Sequence, residues 1–245
     1  MSNKTNYKDF NGSVYIFEYE DEDGNFDYDL YKECQVSLNV AKINSPGPDR
    51  RAMKSLYDNV VKKYGKEVIE YGVCHGTRRG SEQRHLRELT GCDQIFGTDI
   101  SHTANQFENT IEWDFHEIKE EWVGKFDLVY SNSLDQSYDP VHCLRQWLKT
   151  LSPGGICVIH IHGAVPGHVV TDDQIRDMNL SALDPRLPKS LTKHAGDPFI
   201  ATKDGYLLVC YSSLVGLESK YTVHIGKESE RECIVVKREK DDFLR

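Results

Sequence analysis

The sequence predicts an α/β fold: one doubly wound sheet of seven strands whose last strand is antiparallel. Between residues 68 and 161, short apolar runs alternate with helix-like segments, which is typical of a parallel sheet covered by helices. Near the end, two alternating runs flank a polar GKESER turn and predict an antiparallel hairpin at the sheet edge. The chain has 245 residues, 38% of them hydrophobic, and is long enough to bury one sizeable core.

The first strong helical signal follows a turn-forming cluster at residues 44–49, where two prolines and a glycine resist regular structure. Apolar residues then recur at spacings of three and four over residues 51–64, and Gly65 is placed to end this helix. Residues 18–29, rich in acidic and aromatic side chains, precede this signal. They are expected to form a solvated surface loop or part of a substrate rim.

The alternating region contains five strand candidates and two clear helix candidates. The strands are 68–73, 94–100, 110–115, 126–131 and 156–161, and the helices are 81–91 and 141–151, the latter followed by a turn at 152–155. Residues 103–110 are also helix-like, residues 206–217 fit either a helix or a strand, and the hairpin strands are 221–225 and 232–237.

We interpret residues 1–245 as one domain. Residues 1–50 are expected to lie on the substrate side and residues 51–163 to form a cofactor-binding core. Residues 164–200 contain several prolines and predict an irregular insertion that shapes a pocket, with one short helix near 173–178. Residues 201–245 complete the sheet.

Composition disfavours several classes of protein. Thirty Lys and Arg residues against 39 Asp and Glu give a net charge of −9, which disfavours nucleic acids and anionic membranes as partners. No apolar run approaches the roughly 20 residues of a membrane span, and MSNKTNYKDF lacks the apolar stretch of a signal peptide. Seven scattered cysteines without a C-x-x-C pair indicate reduced thiols. The expected location is the cytoplasm, or the host cytoplasm if the protein is viral.

The most informative motif is EYGVCHGTRRG, residues 70–80, which lies between a strand signal and a helix signal. In open α/β sheets, ligands bind outside the carboxyl ends of the strands, and glycines at such turns let the backbone approach the ligand. The spacing G-x-x-x-G-x-x-x-G differs from the dinucleotide motif G-x-G-x-x-G and from a phosphate loop. Because tight turns also use glycine, a purely structural role stays open.

Two acidic residues at strand ends favour a ligand. Asp99 ends the strand QIFGTD and can accept hydrogen bonds from two ribose hydroxyls. Asp114 ends the next strand and could accept a hydrogen bond from the amino group of an adenine ring. Either residue could instead cap a helix. Together with the glycine-rich turn they predict an adenosine-like ligand.

With these residues the chain resembles the class I S-adenosylmethionine-dependent methyltransferases, whose first motif is an acidic residue followed by glycines at alternate positions. Glu70, Gly72 and Gly76 stand in this register, whereas Cys74 occupies a position that glycine usually has. The resemblance covers residues 68–163. It implies a Rossmann-like sheet, S-adenosyl-L-methionine as the cofactor and S-adenosyl-L-homocysteine as the product.

The resemblance also implies roles for individual residues. Glu70 and Gly72 would line the methionine part of the cofactor, and Asp99 would hold the ribose. Independently, the guanidinium groups of Arg78 and Arg79 suit the cofactor's carboxylate, although either could simply face solvent. The predicted cofactor-binding residues are Glu70, Gly72, His75, Gly76, Arg78, Arg79, Asp99, Ile100, Asp114, Phe115 and Ser131.

A narrower resemblance concerns the acceptor. The segments HGTRRG, WDFHE and YSNSLDQSYDP are similar to a group of viral and cyanobacterial methyltransferases that act in glycan O-methylation. This resemblance implies a sugar or glycan hydroxyl as the acceptor. Aromatic residues near the N-terminus could stack on sugar faces, or they could be packing residues. They are Tyr15, Phe17, Tyr19, Tyr28 and Tyr31.

Methyl transfer to a hydroxyl requires a base near the carboxyl edge of the fourth or fifth strand. Asp135 has that position, and Asp139 is the better-placed cap for the helix that follows. His160 and His162 point to one side of the fifth strand and are the other catalytic candidates. A divalent metal held by these histidines with Asp135 is not favoured, because hard cations prefer oxygen ligands. We therefore assign no metal site.

Two other classes of protein remain open. An NAD-dependent oxidoreductase explains the turn and Asp99, but it does not explain the glycine spacing or Asp114. A catalytically inactive subunit or regulator that keeps the cofactor fold is favoured only by Cys74 in the glycine-rich turn.

Overall fold

A computed structural model describes residues 12–16, 19–161, 198–226 and 232–237, together with positions 164, 171 and 173. The strands in chain order are β1 (Val14–Ile16), β2 (Gly72–His75), β3 (Ile95–Asp99), β4 (Thr110–Glu112), β5 (Phe126–Ser131), β6 (Leu151–His160), β7 (Phe199–Ala201), β8 (Tyr221–Ile225) and β9 (Glu232–Lys237). β1 and β7 pair as a small antiparallel sheet. The other seven form one sheet in the order β4-β3-β2-β5-β6-β9-β8.

The topology of the large sheet confirms the predicted fold class. Strands β2 to β6 are parallel, and β9 runs antiparallel to both β6 and β8. The reversed strand is therefore the last strand in the described part of the chain. The predicted hairpin is observed, with Val223 opposite Val235.

Six α-helices accompany the strands in the described part of the chain. They are α1 (Tyr28–Ala41), α2 (Arg50–Leu56), α3 (Lys62–Tyr64), α4 (Ser81–Thr90), α5 (Pro140–Thr150) and α6 (Lys203–Ser213). A π-helical turn, Tyr57–Val61, joins α2 to α3, so the helix predicted at 51–64 is present with a local irregularity. Asp139 caps α5 as predicted, because its carboxylate accepts a hydrogen bond from the N–H of His142 at 3.0 Å.

Both faces of the sheet are covered, because alternate residues of the central strands point to opposite sides. Val73 and Val129 pack in a core that includes Trp147 of α5. Cys74 and Leu128 pack in a second core on the other face, formed with residues of α2 and α4. All seven cysteines are buried and none forms a disulfide. None of the described helices is long and apolar enough to cross a membrane.

Several local predictions need correction. Helix α1 and the small sheet β1–β7 were not predicted, and residues 103–110 contain only the 3-10 turn His102–Gln106. The turn predicted at 152–155 lies inside β6, where the pairing with β5 shifts in register between Phe126 and Leu128. Residues 206–217 lie mostly in a helix, α6. The predicted helix near 173–178 lies outside the described residues, except for position 173.

At the amino end of the central strands, the buried carboxylate of Asp127 in β5 joins three segments. It accepts hydrogen bonds from Lys66 Nζ at 2.7 Å and Ser152 Oγ at 2.6 Å, and from the N–H of Glu70 at 2.8 Å. Burial raises the pKa of this carboxyl, and its hydrogen bonds outweigh that effect, so the pKa is lower than usual. Asp127 therefore fixes the entry to β2 against β5 and β6.

We expect Asp127→Asn to lower the free energy of unfolding at pH 7 by about 1–3 kcal/mol, because the buried donors lose a charged acceptor. The lowered pKa in the folded state predicts that this contribution is present above the unfolded pKa and is lost as the pH falls through the folded value. Urea titrations at pH 7 and pH 3 measure both effects. Asp93→Asn is the control, because that side chain is 88% exposed. Equal effects of the two substitutions would contradict the assignment.

Candidate functional site

A cavity of about 940 Å³ opens at the carboxyl edge of the central strands. Helix α1, the turn 45–48 and α2 form one wall, and the loops after β2, β3 and β5 form the other. Its residues include Tyr31, Gln35, Asn39, Lys42, Met53, Gly76, Thr77, Arg78, Arg79, Glu82, Asp99, Ile100, Phe115, Tyr130, Asn132, Ser133, Asp135, His160 and Glu232. This is the edge at which open α/β sheets bind ligands.

The loop after β2 has a backbone shape that depends on glycine. Gly76 has φ +72°, and a Cβ atom there would lie 2.6 Å from Ser133 Cβ. Arg78 also has a positive φ, of 48°, which is unfavourable for a side chain of its size. Its N–H donates a hydrogen bond to Asp99 Oδ2 at 2.9 Å. This contact stabilises a loop conformation that bends around the cavity.

Asp99 sits at the tip of β3 and connects the two walls. Its Oδ1 accepts hydrogen bonds from Asn39 Nδ2 of α1 at 2.8 Å and from the N–H of Ser101 at 2.9 Å. Burial raises the pKa of this carboxyl, and the hydrogen bonds oppose that rise. The carboxylate therefore borders the cavity in a fixed orientation.

Unsatisfied polar atoms lie beside Asp99. Glu82, in the first turn of α4, is 3% exposed. Its Oε1 accepts a hydrogen bond from Asn132 Nδ2 at 3.4 Å, whereas its Oε2 has no partner, and Thr77 Oγ1 has none either. Burial raises the pKa of Glu82 to about 7. Buried polar atoms without partners are costly, so these groups indicate a polar ligand.

Two predicted cofactor residues lie at the wrong end of the sheet. Glu70 is exposed, and its N–H is bound to Asp127 at the amino edge. Gly72 begins β2, which ends at His75, so the strand starts later than the apolar run suggested. Neither Glu70 nor Gly72 borders the cavity. The predicted alignment of the glycine-rich motif with β2 is therefore wrong, because Gly72 begins the strand and Gly76 is the first glycine after it.

His75 packs in the core and does not border the cavity. Its Nδ1 lies 2.8 Å from Thr98 Oγ1, and its ring stacks on Trp147 with 4.9 Å between centroids. Burial lowers the pKa of His75 to about 3, so the ring is neutral at ordinary pH. Ser131 is also internal: its Oγ donates to the carbonyl of His75 at 3.0 Å. His75 and Ser131 therefore lie inside the protein at the ends of β2 and β5, where two of the loops that border the cavity begin.

Asp114 is engaged with protein groups as well. Its Oδ2 accepts a hydrogen bond from Tyr28 Oη at 2.7 Å, and its Oδ1 lies 2.7 Å from His116 Nδ1. The other ring nitrogen of His116 lies 2.8 Å from Ser137 Oγ. Asp114 does not border the cavity. Its contact with adenine stays a prediction. Through its hydrogen bond with Tyr28, Asp114 links α1 to the segment that follows β4.

The remaining predicted cofactor residues do meet at the cavity. They are Gly76, Arg78, Arg79, Asp99, Ile100 and Phe115. The guanidinium of Arg78 donates to the carbonyl of Lys42 at 2.8 Å, while Arg79 is exposed at the rim. Helix α5 fixes the backbone of Phe115, because Trp147 Nε1 donates a hydrogen bond to the carbonyl of Phe115 at 2.8 Å. Arg78, Arg79 and Asp99 give the cavity polar surface, and Ile100 and Phe115 give it apolar surface.

The catalytic candidates Asp135 and His160 border the same cavity. Asp135 lies in the 3-10 turn Leu134–Gln136 and is buried. His160 ends β6, and its Nδ1 lies 3.7 Å from Oε1 of Glu232 on the neighbouring strand β9. His162 lies outside the described residues.

The aromatic residues near the N-terminus have different surroundings. Tyr15 and Tyr19 are buried and neither borders the cavity, which agrees with the alternative that they are packing residues. Tyr31 does border the cavity, and its Oη donates to the carbonyl of Gln136 at 3.0 Å. Tyr28 contacts Asp114, and Phe17 lies outside the described residues.

Several cavity residues were not predicted from the sequence, among them Asn39, Glu82 and Glu232. Asn39 belongs to the unpredicted helix α1. Glu82 looked like an ordinary acidic residue in the first turn of a helix, and Glu232 looked like a strand residue. The only sequence signal for Glu82 was its place two residues after the glycine-rich turn. No group of three or more metal-binding side chains is found among the described residues.

Comparisons with solved structures reveal similar folds at low sequence identity. The plantazolicin methyltransferase BpumL, solved with a desmethylPZN analog and SAH, is 15% identical, with a TM-score of 0.53 over 86% of this chain and 99% of that chain. The sugar N-methyltransferase KedS8 from Streptoalloteichus sp. ATCC 53650 is 13% identical, with a TM-score of 0.53 over 79% and 90%. An O-methyltransferase family protein from Burkholderia thailandensis is 12% identical, with a TM-score of 0.53 over 82% and 58%.

No protein-family model matches the sequence, and a search of curated proteins finds no similar sequence. The structural likenesses concern the fold. The chain has the Rossmann-like fold of class I methyltransferases, with the predicted mixed seven-stranded sheet.

A glycine substitution tests the loop geometry. Gly76 and Gly91 have nearly the same φ, but a Cβ at Gly91 meets no atom within 4 Å. We expect Gly91→Ala to lower the free energy of unfolding by about 1–2 kcal/mol through backbone strain alone. Gly76→Ala should lower it by about 1–3 kcal/mol more, because Ser133 must move. Urea titrations measure the difference, and equal losses would refute the close approach of the two loops.

Proposed function

We propose that this protein is an S-adenosylmethionine-dependent O-methyltransferase that methylates a hydroxyl of a sugar in a glycan or glycan precursor. The main support is a single cavity that combines the glycine loop and Asp99 with two candidate bases, Asp135 and His160. The fold neighbours include a methyltransferase solved with SAH, a sugar N-methyltransferase and an O-methyltransferase family protein.

The cavity residues fit the cofactor chemically. Asp99 accepts hydrogen bonds from Asn39, Ser101 and Arg78, which leaves about one of its four lone-pair sites for a ribose hydroxyl. Ile100 and Phe115 offer apolar surface for the adenine ring, and Arg78 and Arg79 offer guanidinium groups for the carboxylate. When bound, the cofactor supplies a methyl group on a sulfonium centre.

The other end of the cavity would receive the acceptor. Asp135, His160 and Glu232 all line the cavity. Either base would remove the proton of the acceptor hydroxyl as the oxygen attacks the methyl carbon, since a neutral sugar hydroxyl is a weak nucleophile. The carboxylate of Glu232 near His160 Nδ1 would favour the protonated imidazole that results. Helix α1 would exclude water from this reaction.

Calorimetry with S-adenosylhomocysteine and with NAD tests the cofactor assignment. We expect binding of S-adenosylhomocysteine and no binding of NAD. Asp99→Asn should weaken S-adenosylhomocysteine binding by about 1–3 kcal/mol, because the ribose loses a charged acceptor. Asp93→Asn, on the exposed turn before β3, should leave the affinity unchanged. Binding of NAD alone would establish the oxidoreductase alternative, and binding of neither would support an inactive subunit.

Substitution of the two bases tests the catalytic assignment. We expect Asp135→Asn to retain S-adenosylhomocysteine affinity and to reduce turnover by about 100-fold or more, as is typical for loss of a general base. The measurement uses a labelled methyl donor with a panel of glycans, and mass spectrometry locates the label. His160→Gln is the parallel variant. If Asp135→Asn retains full turnover and His160→Gln loses it, His160 is the base.

A further inference from the structure

The buried carboxylate of Glu82 has no role in the mechanism described above. It lies in the first turn of α4, borders the cavity, and is 3% exposed. Its Oε1 is held by Asn132 at 3.4 Å, and its Oε2 has no hydrogen-bond partner. A buried carboxylate oxygen without a donor is destabilising unless a ligand supplies one.

The surroundings of Glu82 specify the kind of ligand group. The elements packed around it contribute Arg78 from the loop, Asp99 from β3, Cys74 from β2 and Tyr130 from β5. Burial raises the pKa of Cys74 and of Tyr130 well above their usual values, so both are neutral at pH 7. Among the described residues, the charges that act on Glu82 include the cation of Arg78 and the opposing carboxylate of Asp99. A further cation with N–H donors would satisfy Oε2.

We propose that Glu82 binds the α-ammonium group at the amino-acid end of the cofactor. This inference rests on the proposed function. The ammonium has three N–H donors and a positive charge, so it would meet Oε2 with a charge-assisted hydrogen bond. Asp99 and Glu82 would then bind the nucleoside and the amino-acid end of one molecule.

The test compares two ligands that differ only at that end. S-adenosylhomocysteine has the amino-acid group, whereas 5′-methylthioadenosine lacks it. Calorimetry with Glu82→Gln should show an affinity for S-adenosylhomocysteine lowered by about 10- to 100-fold, the effect of losing a charged hydrogen bond. The affinity for 5′-methylthioadenosine should change by less than about 3-fold, because contacts with the adenosine part are retained.

Glu88→Gln is the matched control for this test. Glu88 lies on the same helix, its side chain is 49% exposed, and it contacts Arg50 rather than the cavity. It undergoes the same loss of charge and should leave both affinities unchanged. Glu82→Gln is expected to fold, because burial disfavours the charged form of this side chain. Circular dichroism and thermal unfolding verify this.

Proton counting gives a second, independent measurement. Burial raises the pKa of Glu82 to about 7, so roughly half of the molecules are protonated there at pH 7. A bound ammonium favours the carboxylate, so wild-type protein should release about half a proton when it binds S-adenosylhomocysteine. Titrations in buffers of different ionisation enthalpy measure this release, which Glu82→Gln should abolish.

The outcomes separate the two proposals. If wild-type protein binds S-adenosylhomocysteine and Glu82→Gln binds it equally well, the role of Glu82 is wrong while the proposed function stands. An equal loss of affinity for both ligands also overturns that role, because Glu82 would then shape the whole site. If wild-type protein binds neither ligand, the proposed function fails and the inference fails with it.

Discussion

The candidate site depends on the buried carboxylate of Asp99 at the tip of β3. Its two oxygens hold Asn39 of α1, the N–H of Arg78 in the loop after β2 and the N–H of Ser101. Three separate segments of the chain therefore meet at one charged group. Hydrogen bonds to a charged acceptor are stronger than neutral ones, and this strength compensates the positive φ of Arg78. This carboxylate therefore acts together with the Tyr28–Asp114 and Arg78–Lys42 hydrogen bonds to fix α1 and the loop.

A second buried carboxylate, Asp127, has the corresponding role at the opposite edge of the sheet. It binds the N–H of Glu70 and the side chains of Lys66 and Ser152, and these contacts add to the backbone hydrogen bond from the N–H of Asp127 to the carbonyl of Tyr71. The two carboxylates differ in surroundings. Asp127 has a lysine partner and a lowered pKa, whereas Asp99 faces the cavity and has a raised pKa. The first is satisfied by the protein, and the second retains capacity for a ligand.

The sequence predicted the fold well because hydrophobic periodicity reports which face of each element is buried. The alternation of strands and helices, the α5 cap at Asp139 and the C-terminal hairpin all follow from such local signals. Helix α1 was missed because Leu30, Val36 and Val40 blur the stripe that its buried residues form. The position of Glu70 was wrong because its hydrogen bond joins residues 57 positions apart, which no local pattern encodes. For the same reason, the hydrogen bond from Tyr28 to Asp114, which joins residues 86 positions apart, could not be anticipated.

The polar atoms of the cavity show how such a site differs from a protein core. A core group such as Ser131 has its hydrogen bonds satisfied within the protein, whereas Glu82 and Thr77 keep unpartnered atoms beside the cavity. Retaining these atoms lowers the stability of the protein alone. That cost is recovered when a ligand supplies the missing donors and acceptors, and the fixed orientation of Asp99 limits the entropy lost on binding. A polar ligand in the cavity would account for the unpartnered oxygen of Glu82, whereas the unpartnered Nε2 of His75 lies in the core and has no such explanation.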